Sequence, residues 1–177
     1  HYDMPGLGSW GEWAFVKELI PHVDKTYRTI AKREGRGIEG FSQGGRGTAR
    51  IMFKYPELFV SAAPGGGGHA TEKHISETGG WENDNLKFIE GANTWDRARE
   101  YARHMDPKLN ILVYVGDKGF NYENNLEWTA FLKTLGIEHR LLVIPDAPHS
   151  GKIIYDKKGA EIMSFHMANF RATAGAR

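Results

Sequence analysis

The sequence predicts an α/β fold in which a parallel sheet is flanked by helices. Two apolar runs, residues 58–63 and 109–115, are almost unbroken, which is typical of parallel strands covered on both faces. Stretches with apolar residues at helical spacing lie between them, so strands and helices alternate along the chain. Such alternation predicts parallel strands joined by right-handed crossovers.

The predicted elements can be placed along the chain. A first helix begins at a capping box of Ser9 and Glu12, ends in the charged run before Gly35, and is kinked or divided by Pro21. Further strands are predicted at residues 58–63, 109–115 and 139–144, and helices at residues 43–55, 94–104, 122–135 and 159–170. Residues 69–91 lack periodicity and are predicted to form a long loop, which in a compact domain is usually functional.

Bulk composition narrows the class of protein. The 177 residues are predicted to form one domain over residues 1–177, and 40% apolar with 25% charged residues is typical of a globular chain. A formal net charge of +1 argues against a nucleic-acid binder, and no apolar run approaches membrane-spanning length. The absence of cysteine excludes disulfides, zinc–thiolate sites and thiol nucleophiles. The compartment stays open, because no signal peptide is visible and the chain begins at His1 without a methionine.

One short stretch carries a recognisable catalytic pattern. Gly40, Ser42 and Gly44 fit G-x-S-x-G, with a short apolar strand before the serine and a helix after it. This is the nucleophile elbow, in which a serine is held in a strained turn. The glycines on either side are expected to be needed because any side chain there would collide.

An overlapping pattern points elsewhere and is rejected. Residues 35–40 fit G-x-G-x-x-G, the dinucleotide-binding fingerprint. That motif needs a strand before its first glycine and a helix at its last. Here a helix precedes it and a strand overlaps its end, so no dinucleotide site is predicted.

Three side chains are predicted to meet at the carboxyl ends of the strands, where functional groups of open parallel sheets collect. They are Ser42, Asp117 and His149, each following an apolar run. A serine hydroxyl needs an imidazole to accept its proton, and the imidazole needs a carboxylate that orients it. The chain order Ser, Asp, His is also that of one group of serine hydrolases.

Other histidines and tryptophans are weaker candidates. His69 and His74 lie in the predicted loop with a spacing that suits no common metal motif, and His166 among apolar neighbours is predicted to be structural. Trp81 and Trp95 flank the loop. They could stack on an aromatic or sugar ring, or they could only pack the loop down.

The chain resembles α/β-hydrolases of the esterase-D and feruloyl or acetylxylan esterase kind (carbohydrate esterase family one), and specifically the C-terminal two-thirds of that domain. The resemblance rests on several stretches: residues 18–24 with 27–29, residues 40–45, residues 55–59, residues 135–137, and the Pro-His pair at 148–149. It implies hydrolysis of carboxylic esters, often acetyl or hydroxycinnamoyl groups on plant polysaccharides, and no cofactor. The substrate would be a small-molecule or polysaccharide-linked ester.

Roles follow from the motif and the resemblance together. Ser42 is predicted to attack the ester carbonyl, His149 to shuttle the proton and Asp117 to orient His149, while the backbone amide of Gln43 helps hold the oxyanion. In the family the triad acid falls three residues after the glycine that ends its strand. Counting from Gly116, that position is Gly119, so Asp117 comes early and Glu123 late. Either a shift of the loop brings Asp117 to His149, or the triad acid is missing, which in a comparable triad lowers turnover by roughly 10⁴-fold.

The resemblance also bears on the length of the chain. Family domains carry several strands and a second oxyanion donor before the region where this sequence starts. We therefore expect the N-terminal strands of the domain to be missing from this chain and to lie upstream or on a separate chain. Two alternatives to an esterase stay open: a non-catalytic binding protein on the hydrolase fold, and a peptidase or thioesterase on the same scaffold.

Overall fold

A computed structural model of the chain describes residues 3–4, 8–69, 74–78, 81–87 and 90–174. The strands in these ranges are β1 Asp3–Met4, β2 Ser9–Trp10, β3 Gly37–Phe41, β4 Ser61–Gly65, β5 His74–Thr78, β6 Trp81–Lys87, β7 Asn110–Lys118 and β8 Arg140–Pro148. The α-helices are α1 Gly11–Trp13, α2 Ile20–Thr26, α3 Gln43–Lys54, α4 Thr94–Ala102, α5 Tyr122–Thr134 and α6 Gly151–Ala174. A π-helical stretch, Ala14–Leu19, joins α1 to α2, and 3₁₀ turns lie at Arg33–Gly35 and Pro56–Leu58.

The main sheet has four parallel strands in the order β3–β4–β7–β8, which confirms the predicted fold class. Its two faces bury different residues of the same strand: Ile111 and Val113 belong to one core, Leu112 and Tyr114 to the other. The first core is covered by α3, α4 and α5, and the second by α6. Because side chains alternate along a strand, burial of both faces requires an unbroken apolar run.

The first helix differs from its prediction at both ends. Ser9 lies in β2 and caps nothing; the N–H groups of Glu12 and Trp13 donate instead to Oδ1 of Asp3, each at 3.0 Å. The Glu12 carboxylate accepts hydrogen bonds from Lys54 and Tyr55 instead of capping the helix. The helix ends at Thr26 rather than near Gly35. The predicted capping box is therefore wrong, because a tertiary contact satisfies these donors.

Pro21 does not break the helix. It lies in the first turn of α2, directly after the π-helical stretch Ala14–Leu19. A proline has no N–H to donate to the carbonyl of the preceding turn. The wider π-helical turn before Pro21 accommodates this missing hydrogen bond. The sequence predicted that Pro21 kinks or divides the helix. The structure instead shows a π-helical stretch before Pro21, inside a continuous helix.

The predicted loop at residues 69–91 is wrong over part of its length. β5 and β6 pair there as an antiparallel hairpin. The side chains of His74 and Trp81 lie outside the described residues. β7 and β8 also run further than predicted, to Lys118 and Pro148, so Asp117 lies within a strand instead of the loop after it.

Trp95 packs the segment that follows β4. Its Nε1–H donates to the carbonyl of His69 at 2.8 Å, and its ring lies 4.5 Å from that of Phe131. Asn124 of α5 holds the same residue from the other side, accepting from the His69 N–H at 2.7 Å and donating to its carbonyl at 3.0 Å. Of the two interpretations of Trp95, the structure supports packing.

His69 is fully buried and neutral. Its ring stacks on Trp128 with centroids 3.8 Å apart, and Nδ1 lies 3.2 Å from Thr94 Oγ1. Burial, with a further contribution from the Arg46 guanidinium, lowers the pKa of His69 to about 3. His166 is likewise buried, with Nδ1 2.8 Å from Ser61 Oγ, as a structural role requires.

The depressed pKa of His69 predicts acid sensitivity of the fold. In the unfolded chain the pKa of this imidazole is near 6.5. Below that pH the unfolded state therefore binds a proton, whereas His69 in the folded state stays neutral. Stability is therefore present above pH 6.5 and is lost as pH falls towards 3, at about 1.4 kcal/mol per pH unit for this one group. Urea unfolding at pH 7, 6 and 5 measures the slope.

The matched variants are His69→Gln and His104→Gln, the latter at an exposed histidine. His69→Gln is expected to lower stability at pH 7 through the lost ring stacking, yet to flatten the slope between pH 6.5 and 5. His104→Gln should keep the wild-type slope. Equal slopes in all three proteins would contradict a neutral buried His69.

Candidate functional site

Ser42 lies at the sharp turn between β3 and α3. Its backbone has φ 61° and ψ −118°, a conformation that residues other than glycine rarely adopt. Its N–H donates to the Gly65 carbonyl at 2.8 Å. Gly40 is needed for this turn, because a Cβ there would come within 2.5 Å of the Gly44 carbonyl carbon and oxygen. The geometry is that of a nucleophile elbow.

The second glycine requirement falls on a different residue than expected. A Cβ on Gly44 would meet nothing within 4 Å among the described residues, whereas a Cβ on Gly45 would lie 2.1 Å from the Gly65 carbonyl oxygen. The start of α3 therefore packs directly against β4 at Gly45. The predicted need for a bare Gly44 is not seen; its backbone is what crowds Gly40.

His149 meets Ser42 as the sequence predicted. It follows directly after β8, and its Nε2 lies 2.8 Å from Ser42 Oγ. The rings of Phe41 and Phe120 pack on the imidazole at centroid distances of 4.7 and 4.4 Å. Phe120 is 72% exposed although it is large and apolar, so an exposed aromatic ring lies next to the imidazole of His149.

Asp117 does not reach His149, which corrects the predicted arrangement. Its Oδ1 is buried and has no hydrogen-bond partner within the described part of the chain, and the ammonium of Lys118 lies 4.0 Å from Oδ2. The reason is the continuation of β7, which shifts register against β8 between Gly116 and Lys118. Asp117 is thereby held in the sheet and not in the loop that faces the imidazole.

Asn121 lies where the acid was expected. Its Oδ1 is 3.2 Å from His149 Nδ1, and its Nδ2 donates to the carbonyls of Gly66 and Gly67. The residue is 6% exposed and precedes the first turn of α5. Sequence reasoning missed it because an asparagine before a helix is ordinarily a capping residue. Gly119 and Glu123, the other positions considered, make no hydrogen bond to His149 in the described structure.

His149 and the Asn121 side chain beside it form a pair without charge. Burial lowers the pKa of His149, with no carboxylate acting in the opposite direction. The imidazole is thus kept uncharged near neutral pH, which is the form that accepts a proton from serine. Gln43 is the first residue of α3, so its N–H lies at the positive end of the helix dipole beside Ser42.

Within the described ranges, no three histidine or carboxylate side chains converge closely enough to hold a metal ion. None of the helices found there combines the length and the apolar character that crossing a bilayer would require.

The parallel sheet, the strained elbow serine and the histidine after the last strand together define an α/β-hydrolase of the serine type. Within that class, the chain belongs to the prolyl oligopeptidase family, which it matches over residues 10–173. The predicted resemblance to esterase-type α/β-hydrolases is also confirmed by relatives and structural neighbours.

An esterase of Mycobacterium tuberculosis, known from two strains, is 30% identical over 104 residues, covering 55% of this chain and 23% of its own length. A fluorophosphonate-binding serine hydrolase of Staphylococcus aureus superposes with a TM-score of 0.74 at 18% identity, covering 87% of this chain and 63% of the other. A ferulic acid esterase superposes with a TM-score of 0.72 at 20% identity, covering 94% and 63%. This chain therefore spans about a quarter of the curated relatives and less than two-thirds of these two structural neighbours.

Proposed function

We propose that the protein is a serine carboxylesterase that works through an acyl-enzyme. The observation that carries this proposal is the 2.8 Å contact between Ser42 Oγ, at a strained elbow, and His149 Nε2. Esterase relatives and hydrolase neighbours support it.

In the proposed reaction, Ser42 Oγ attacks the ester carbonyl while its proton passes to His149 Nε2. The carbonyl oxygen becomes an oxyanion, which the Gln43 N–H helps to stabilise. Collapse of this intermediate breaks the bond to the alcohol, which leaves with the proton from His149. A water molecule then repeats the sequence on the acyl-enzyme, giving the carboxylic acid and free Ser42.

The substrate class that we propose is an acetyl or hydroxycinnamoyl ester, carried by a small molecule or by a plant polysaccharide. Phe120 supports an aromatic or sugar-ring substrate, because it is largely exposed and its ring centroid lies 4.4 Å from that of His149, the residue that would protonate the leaving alcohol. One structural neighbour is itself a ferulic acid esterase.

Two rivals are favoured by specific observations. The family name points to peptide-bond hydrolysis on the same machinery. The neutral Asn121 beside His149, in place of a carboxylate, favours a binding protein that has lost turnover. Neither rival changes the fold; they differ in what Ser42 can do.

Labelling with a fluorophosphonate probe, followed by peptide mapping, tests whether Ser42 is a working nucleophile. Hydrolysis of p-nitrophenyl acetate, methyl ferulate and a prolyl-aminocoumarin amide by the same protein then ranks the substrate classes. Labelling at Ser42 with ester turnover is expected. Labelling with faster amide than ester turnover would favour the peptidase, and no labelling would favour the binding protein.

A further inference from the structure

We infer that Asn121 is the residue that positions His149, and that it does so by fixing which ring nitrogen carries the proton. The inference deepens the proposed function and rests on it for its catalytic meaning. It assigns to an amide the orienting task that a carboxylate performs in the usual triad.

The orientation of the Asn121 amide is set by its other contacts. Its Nδ2 faces the carbonyl oxygens of Gly66 and Gly67, which can only accept hydrogen bonds. Rotating the amide would bring Oδ1 against both of these oxygens and lose two donated bonds. Oδ1 is therefore held towards His149 Nδ1, at 3.2 Å.

A held amide oxygen determines the tautomer of the imidazole. Because Oδ1 can only accept, Nδ1 of His149 must carry the hydrogen. Nε2 then presents its lone pair to the Ser42 hydroxyl at 2.8 Å, which is the arrangement needed for general-base catalysis. An asparagine whose NH₂ group faced the imidazole would impose the opposite tautomer, which costs about 10⁴-fold in a comparable triad.

Two local features favour this role over simple helix capping. Asn121 occupies the N-cap position of α5, yet its side chain makes no capping hydrogen bond, although capping would normally stabilise the helix. Gly119 leaves room for the contact, because a Cβ there would lie only 3.2 Å from Asn121 Oδ1. The side chain is therefore committed to the glycine loop and the histidine.

The chain offers a matched control in Asn125, four residues along the same helix. Its Nδ2 also donates to the Gly67 carbonyl and to the backbone carbonyl of Asn121, each at 2.8 Å, and it is fully buried, but its side chain makes no hydrogen bond to His149 in the described structure. Removing either side chain weakens the same attachment of the loop to α5. Only the loss of Asn121 removes the partner of Nδ1.

The first test is the tautomer, read from the ¹⁵N chemical shifts of His149 near pH 7.5. The wild-type protein and Asn125→Ala are expected to show a protonated Nδ1 and an unprotonated Nε2. Asn121→Ala should show a mixture of the two tautomers. A wild-type protein with the proton on Nε2 would overturn the inference, whether or not the protein hydrolyses esters.

The second test is the rate of fluorophosphonate labelling as a function of pH. Asn121→Ala is expected to label about 10²-fold more slowly, since misplacement of a catalytic group costs about that much, whereas Asn125→Ala should label at the wild-type rate despite a lower melting temperature. Asn121→Asp places a carboxylate near Nδ1 while losing the two hydrogen bonds donated to Gly66 and Gly67; it should move the acid limb of the profile to higher pH, because a carboxylate raises the pKa of an adjacent histidine.

Asp117→Asn separates the remaining alternative. If Asp117 were the orienting group, this variant would lose most of the labelling rate while Asn121→Ala kept it, and the inference would fail. Equal losses in Asn121→Ala and Asn125→Ala would also overturn it, by showing a purely structural role. Absence of labelling in the wild-type protein would contradict the proposed function instead, with the tautomer measurement still deciding the role of Asn121.

Discussion

Ser42→Ala is expected to eliminate covalent labelling and ester turnover while leaving the fold intact. Removal of Oγ deletes the atom that forms the acyl-enzyme, and in a comparable triad the loss is on the order of 10⁶-fold in kcat. Alanine keeps the same Cβ, so the strained backbone at φ 61° is no worse than before. Assays with p-nitrophenyl acetate measure ester turnover, and thermal unfolding measures whether the fold stays intact.

The control for this variant is Ser164→Ala, at an exposed serine on α6. It should retain both labelling and turnover. Turnover that survives Ser42→Ala at the wild-type rate would assign the activity to another group and remove the basis of the proposed esterase.

Gly45→Ala is expected to destabilise the protein strongly. The added Cβ would lie 2.1 Å from the Gly65 carbonyl oxygen, and no side-chain rotation can relieve a collision between two pieces of backbone. α3 and β4 would have to separate at the elbow, at a cost of about 3 kcal/mol or more. For a chain of this size that corresponds to a fall of ~6–12 °C in melting temperature.

Gly44→Ala is the matched comparison, one residue earlier in the same helix. Its Cβ has no neighbour within 4 Å among the described residues, and alanine favours a helix more than glycine does. The melting temperature should stay the same or rise slightly. If Gly44→Ala destabilised the protein as much as Gly45→Ala, the packing of α3 against β4 would not be what makes Gly45 necessary.

Much of the main sheet could be predicted because its signals are local. Residues 111–115 had to be apolar throughout, since both faces of β7 are covered there. The end of the helix predicted at residues 122–135 is also set locally, because Gly136 follows it with φ 70° and the Ile137 N–H returns to the Leu132 carbonyl. Ends that depend on distant partners were not predictable from spacing, and an example is the start of α1, whose N–H groups donate to Asp3.

The residues of the candidate site likewise fall into those that local sequence identifies and those that depend on distant partners. Ser42 lies in a motif whose residues are adjacent in sequence, and His149 follows a strand end, so both were identified. Asp117 was chosen because a carboxylate was expected at the end of the apolar run. The extension of β7 to Lys118 is set by pairing with β8, which the sequence of one strand does not reveal.

Asn121 shows most clearly where sequence reasoning ended. Its position before a helix predicts a cap, and nothing next to it in the sequence indicates the carbonyls of Gly66 and Gly67, more than fifty residues earlier. Those carbonyls lie within reach only because β4 and β7 are neighbours in the sheet.

The sequence by itself determined the fold class, the elbow and the nucleophile, since each depends on residues close together along the chain. Only the tertiary structure decided which group faces His149 Nδ1, and that Gly45 rather than Gly44 is the second glycine that the elbow requires. Both depend on distances between segments that meet through folding, and hydrogen bonding and steric exclusion change sharply over a few tenths of an ångström.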